Sequence, residues 1–181
     1  MARLSAETWA TAALEAIREG GLAAVAVEPL AARLGATKGS FYWHFRTRDA
    51  LIAAALTQWE ERFTAATIAA LATETDPRTR LRKLFVGVTA RSRLEVNLLA
   101  AAEHPLVGPA VERVVRRRLA YVVEQFAAIG FDAGEAAHRG MLAYTAYVGH
   151  LELAARVPEV LATGQPGYVD AVIELLLTGE A

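Results

Sequence analysis

Residues 37–45 read Thr-Lys-Gly-Ser-Phe-Tyr-Trp-His-Phe, and the last five of them hold four aromatic residues and a histidine. The types present are those of recognition rather than bond-breaking. A phenol, an indole N–H, an imidazole and an ammonium can all donate to phosphate oxygens, and ring faces can meet base edges and thymine methyls. The surroundings fit an anionic partner. Between Pro29 and Arg48 stand Arg33, Lys38, Arg46, Arg48 and His44, with no carboxylate at all. The whole chain has a net charge of −1, so its overall charge does not favour a polyanion. The excess is local: residues 1–48 carry six Lys/Arg against four Asp/Glu, and residues 49–181 carry 13 against 16. A basic stretch on a near-neutral protein suits a confined phosphate contact.

Other chemistry finds little support. There is no cysteine, so no disulfide or thiolate metal site is expected, and a reducing cytoplasm is the expected location. Glu103-His104 and His150-x-Glu152 lack the helical i, i+4 spacing of a metal-binding pair, so no metal or cofactor is expected. No G-x-S-x-G, P-loop, dinucleotide fingerprint or H-E-x-x-H occurs, and the chain is read as a non-enzyme. The longest uncharged run has 12 residues, Gly140 to Leu151, and a bilayer span needs about 20. The N-terminus lacks the apolar core of a signal peptide.

Positioning the aromatic run takes helices. Ser5 caps a first helix carrying Trp9, Ala13, Ala16 and Ile17, which Gly20-Gly21 ends. Glu28 to Leu34 forms a short second helix with Pro29 in its first turn. Gly35 makes the turn, Thr37 caps a third helix, and Thr47 caps a fourth with Asp49 at its positive end. On the third helix Phe41 and Phe45 are four apart and share a face, so they dock onto Trp9, Ile17, Leu30 and Leu34. Tyr42, Trp43 and His44 then point elsewhere. Two short helices across a glycine turn, flanked by longer ones, form a helix-turn-helix unit.

The run Leu30 to Leu56, LAARLGATKGSFYWHFRTRDALIAAAL, resembles the DNA-binding domain of the TetR family of bacterial transcriptional repressors. The resemblance covers about residues 5–60. It implies that Thr37, Lys38, Gly39 and Ser40 face bases or sugar edges, that Tyr42, Trp43 and His44 contact backbone and neighbouring bases, and that Arg48 binds phosphate. One departure stands out. Where the family commonly has a capping threonine at the start of the second helix, this chain has Ala26-Val27 and then acidic Glu28, which would repel a phosphate.

The remainder is read from pattern. Helices are expected from Asp76-Pro77, with Leu81, Leu84 and Phe85 on one side; up to Pro105; from Gly108-Pro109 to Gly130; from Asp132 to Arg156; and from Gln165-Pro166 to about Gly179. A loop is expected over Val157 to Gln165. Arg113, Arg116, Arg117 and Arg118 read as the solvated face of the long helix. The penultimate helix has only a narrow polar strip, His138, Thr145, Gly149, Glu152 and Arg156, so it must be buried on more than one side. Ala136, Gly140, Ala143 and Ala154 form a small-residue stripe there. With Val169, Val172, Ile173 and Leu176 of the last helix, that stripe suggests half of a four-helix bundle between two copies.

The expected architecture is therefore all-α. An N-terminal helix-turn-helix domain (residues 1–48) is joined by the fourth helix to a larger helical domain (residues 49–181) for effector binding and dimerisation. The resemblance implies an inducer pocket in the latter; its candidate lining is Trp59, Phe63, Phe85, Asn97, His104, Phe126, Met141, Tyr144 and Tyr147, suited to a mostly apolar molecule. The expected partners are a double-stranded, palindromic DNA operator, a second copy of the chain and that effector, with no membrane. A DNA-binding dimer without an effector, and a helical enzyme or binding protein whose N-terminal unit only packs, remain the alternatives.

Overall fold

A computed structural model describes residues 4–88, 92–162 and 167–178, and no strand occurs among them. They fall into two compact units, one running to Phe63 and including Arg93–Val114, the other comprising Thr64–Ser92 and the described residues from Val115 onwards.

In the first unit, α1 (Ala6–Gly20) starts at Ser5, whose side chain accepts from Thr8 N. It ends at Gly21, where φ is 71°, a conformation that glycine adopts without strain. A 3-10 turn (Leu22–Ala24) leads to α2 (Val27–Arg33), whose N-cap, Ala26, makes no side-chain cap bond. Gly35, at φ 61°, turns the chain into α3 (Lys38–His44), capped by Thr37. Thr47 then caps α4 (Arg48–Glu60). α1 packs along α4, and α2 against α3. α7 (Ser92–Ala100) belongs to this unit as well.

Along α4, Ile52, Leu56 and Trp59 form a buried apolar stripe, whose helical spacing would extend to Phe63. It fails at Phe63. A π turn over Glu61–Ala65 separates α4 from α5 (Ala66–Leu71). The wider turn rotates the register, so Phe63 is half-buried and Thr64 falls inward.

The second unit packs α6 (Pro77–Val88), the later part of α8 (Val107–Ile129), α9 (Ala133–Arg156) and α11 (Tyr168–Leu177). Its core joins Leu81, Val122, Phe126, Phe131, Ala136, Ala143, Ile173, Leu176 and Leu177. The expected loop after Arg156 contains a short helix, α10 (Pro158–Ala162), which begins on a proline, where the missing N–H costs nothing. The expected start of the last helix at Gln165-Pro166 lies outside the described residues.

Two arginines hold the end of α11. Arg139 donates from Nη1 to the carbonyls of Leu176 (2.7 Å) and Thr178 (2.8 Å), and its guanidinium lies 4.2 Å from the centre of the Phe131 ring. Arg78 donates to Leu177 O at 2.6 Å. These bonds satisfy carbonyls that the helix end leaves open, with charge of the sign its dipole favours.

Gly140 sets the spacing of α8 and α9. A Cβ built on it would sit 2.5 Å from Val123 Cγ2 and 3.5 Å from Val123 Cα. Valine is stiff at χ1 and cannot swing away. Gly140→Ala should therefore lose stability: overpacking costs about 1–3 kcal/mol, against a gain of about 1 kcal/mol in helix propensity. The expected net loss is a fraction of a kcal/mol to about 2 kcal/mol, measured by urea denaturation; a stabilised variant would show that the two helices separate freely.

Candidate nucleic-acid interface

The aromatic run of α3 divides into an anchor and a display. Phe41 is fully buried and meets Trp9 edge-on, with ring centres 5.5 Å apart. Phe45 is buried too and stacks on Phe41 at 5.9 Å. Ile17 and Leu30 are buried in the same unit. The i, i+4 spacing of the two phenylalanines thus fixes the rotation of α3. As a result Tyr42 is 52% exposed and Trp43 71% exposed. Thr37, Lys38 and Gly39 are also exposed, and Ser40 and His44 half-buried. The structure therefore brings Thr37, Lys38, Gly39, Ser40, Tyr42, Trp43 and His44 onto one short helix and its cap. Thr37 has a local task as well, accepting from Ser40 N at 3.2 Å.

The cations behave differently from the sequence expectation. Arg48, expected at a phosphate, donates from Nε to Val25 O (2.6 Å) and from Nη2 to Leu22 O (2.7 Å), with Nη1 4.0 Å from Asp49. It ties the start of α4 to the segment before α2, at the first residue of the 3-10 turn, whose carbonyl also accepts from Val25 N (3.2 Å), and at the residue just after that turn. Arg33 makes a two-pronged pair with Glu19 at 2.8 and 2.6 Å. The hydrogen bond from Arg33, then its charge, holds the Glu19 carboxyl below the usual range. Lys38 Nζ lies 2.8 Å from Glu28 Oε1. That hydrogen bond, followed by the paired charge, lowers the Glu28 carboxyl and raises the Lys38 ammonium, so both are ionised at neutral pH. Arg46 is exposed and has no hydrogen-bond or ion-pair partner among the described residues. Its place just beyond the anchored Phe45 sets it apart from the paired cations of the basic stretch.

The expected effector residues divide between the two units. Trp59 is buried in the first unit and donates to Glu95 Oε2 at 3.3 Å. Asn97 donates to Ile17 O (2.8 Å) and Arg18 O (3.2 Å), closing the end of α1. His104 Nδ1 accepts from Leu106 N in a local turn. Phe63 belongs to the first unit as well. Phe126 is sealed in the core of the second unit, and Met141 is half exposed. Tyr144 and Tyr147 meet edge-on at 5.9 Å. Phe85 and Tyr147 line a cleft together with His150, Tyr168, Val172 and Leu176. The cavity volume is about 50 Å³. His150 stacks on Tyr168 at 6.5 Å, and its Nδ1 is buried with no hydrogen-bond partner among the described residues.

The residues of the expected dimer stripe have neighbours within the chain. Ala136 and Ala143 of α9 and Ile173 and Leu176 of α11 are buried together in the core of their own chain, and Gly140 is buried against Val123 of α8. Small residues allow close approach, and here the approaching helix is intramolecular. Ala154, Val169 and Val172 are half-buried. The apolar side chains left outside are Met141, Leu142 and Leu153 on α9 and Tyr168 and Leu175 on α11.

Arg48 and Arg46 should therefore respond differently to mutation. Arg48→Met should lower the stability of the first unit by about 1–2 kcal/mol, since hydrogen bonds to a charged group contribute about 1.5–3 kcal/mol before allowing for exposure. Arg46→Ala should leave melting unchanged and flatten the salt dependence of duplex binding by about 0.9. Thermal melts and salt titrations on both variants separate the roles, and the reverse pattern would assign the phosphate contact to Arg48.

Residues 11–55 match the bacterial regulatory proteins of the tetR family. No curated protein matches the chain. A transcriptional regulator from Rhodococcus sp. Rha1 has a similar structure at 23% identity, over 96% of this chain and 94% of its own, with a TM-score of 0.76. A TetR transcriptional regulator from Legionella pneumophila is similar at 13% identity, over 97% of each chain, with a TM-score of 0.78. The multidrug binding protein EbrR, complexed with imidazole, is 26% identical over 96% of this chain and 89% of its own, with a TM-score of 0.59. The matched segment contains the whole anchored helix-turn-helix, and the helical architecture is shared along nearly all of the chain. Residues 11–55 thus resemble the N-terminal region of the bacterial regulatory proteins of the tetR family.

Proposed function

We propose that this chain is a homodimeric repressor that binds a palindromic operator and is released from it by a small molecule. The observation that carries the reading is the split aromatic run: two buried phenylalanines lock α3 so that Lys38, Tyr42 and Trp43 stand outward together. In this reading Tyr42, Trp43 and His44 position the protein on phosphates, while Lys38 and Ser40 meet base edges. The helix-turn-helix is the DNA-binding domain, and the helices after it serve the effector and the second copy. Tyr42→Ala should then weaken binding to all duplexes alike, whereas Ser40→Ala should change the preferred operator. Binding of each variant to a panel of operator mutants tests this; a Tyr42→Ala variant with altered base preference and intact affinity would reverse the roles.

The second copy is the occupant proposed for the outer faces of α9 and α11. Met141, Leu142 and Leu153 lie exposed along α9, where a Cβ on Gly149 would meet nothing within 4 Å. Tyr168 and Leu175, 70% exposed, continue the surface on α11. Two such helices from each copy make a four-helix seam. Leu142→Glu and Leu175→Glu should give folded monomers, because an unpaired carboxylate buried at a seam costs several kcal/mol. Ala143→Glu should unfold the unit instead. Sedimentation with circular dichroism separates these outcomes, and a wild-type monomer at micromolar concentration would refute the seam.

For the effector, the cleft beside His150 is the proposed site. Its walls are apolar apart from His150 and the two tyrosines, which suits a neutral molecule carrying one hydrogen-bonding group for the unpartnered Nδ1. The structural similarity to EbrR, a multidrug binding protein, supports a ligand among these helices. The cavity of about 50 Å³ is far below the roughly 300–1,000 Å³ of drug-sized sites, so the effector is small or opens the cleft. That size also favours the second reading, a DNA-binding dimer without an effector. Val172→Trp, which fills the cleft, should abolish the response while sparing operator affinity. Coupling is reciprocal: an effector that binds the free protein and the DNA complex equally well would exclude the switch.

A further inference from the structure

The sequence between Pro29 and Arg48 has no carboxylate, yet two of its four Lys/Arg side chains are paired with carboxylates from elsewhere in the fold. Glu19 reaches Arg33 from α1, and Glu28 reaches Lys38 from the first turn of α2. The Glu28 and Lys38 side chains are 75% and 56% exposed, and with Tyr42 they line one cleft between the starts of α2 and α3. An exposed pair of this kind contributes little to stability, so the lysine is held lightly and can exchange partners. What the pair does control is the state in which Lys38 meets DNA.

We infer that Glu28 is a specificity-determining residue that acts through Lys38, holding its ammonium in an ion pair that arbitrary duplex DNA must break. The inference rests on the DNA-binding reading of α3. Binding to arbitrary sequence draws its free energy from cation–phosphate contacts and the counterions they release. A lysine already neutralised by a carboxylate releases none until the carboxylate is displaced, and the displaced carboxylate then faces the phosphates. An operator that offers Lys38 a base acceptor, such as guanine O6 or N7, compensates for the lost pair. Random sequence offers such an acceptor in register only by chance, and otherwise phosphate. Glu28 thus weakens nonspecific binding more than specific binding, and discrimination rises through the penalty on the wrong partner.

The carboxylate also favours the uncapped positive end of α2, so a purely structural role has to be told apart. The probe is a 30-base-pair duplex of random sequence, titrated with wild type, Glu28→Gln, Lys38→Met and the double variant from about 50 to 200 mM salt. Glu28→Gln should bind more tightly, with a salt slope steeper by about 0.9, so that its advantage shrinks about 3.5-fold across that range. In the Lys38→Met background the same change should leave the slope where it was. Equal slopes for wild type and Glu28→Gln, or an equal steepening in both backgrounds, would overturn the inference. A lowered melting temperature with unchanged slopes would make Glu28 a helix-end residue only. Absence of any salt-dependent duplex binding by wild type would overturn the DNA-binding reading, and this inference with it.

Discussion

Phe41 and Phe45 packed against Trp9 form the interaction on which the recognition surface depends. α3 has seven residues, Lys38–His44, and a helix of that length does not persist in water by itself. Its existence and its rotation are both set by the two rings buried four residues apart. With them in place, Tyr42 and Trp43 have nowhere to go but outward. The Thr37 and Thr47 caps fix where α3 and α4 begin, and Arg48 ties α4 back to the carbonyls of Leu22 and Val25. Each of these contacts is modest, but they converge on one helix.

Electrostatics follows from the same geometry. Once α1, α2 and α3 are packed, carboxylates from outside the basic stretch come within reach of its cations. Arg33 and Lys38 acquire partners, and Arg48 turns toward main-chain carbonyls. The outward face of α3 and its neighbours therefore has a smaller net positive potential than a count of the basic residues suggests.

In the second unit, apolar side chains exceed what one domain can cover. The small residues of α9 admit α8 and α11 closely, and Gly140 against Val123 is the tightest point. Arg78 and Arg139 hold the end of α11 in place. With the inner faces filled, Leu142, Leu153 and Leu175 remain outside. These outer residues, rather than the small ones, are free to meet a partner.

The sequence by itself determined the local framework: the caps at Ser5, Thr37, Thr47 and Asp132, the glycine turns at Gly21, Gly35 and Gly130, the helical period and the anchoring pair Phe41/Phe45. These are short-range features, governed by hydrogen bonds and spacings within a few residues, so a single chain displays them directly. Tertiary structure decided which face of each helix is inner. Ala136 and Gly140 look equally apt for an intramolecular or an intermolecular neighbour, because close approach depends on size alone. It also decided where long side chains end: Asn97 reaches α1 from 80 positions away from Ile17, and the π turn at Glu61–Ala65 moves Phe63 off its stripe. Pairings such as Glu28 with Lys38 depend on the angle between two packed helices, and that angle is set by the whole core rather than by either segment.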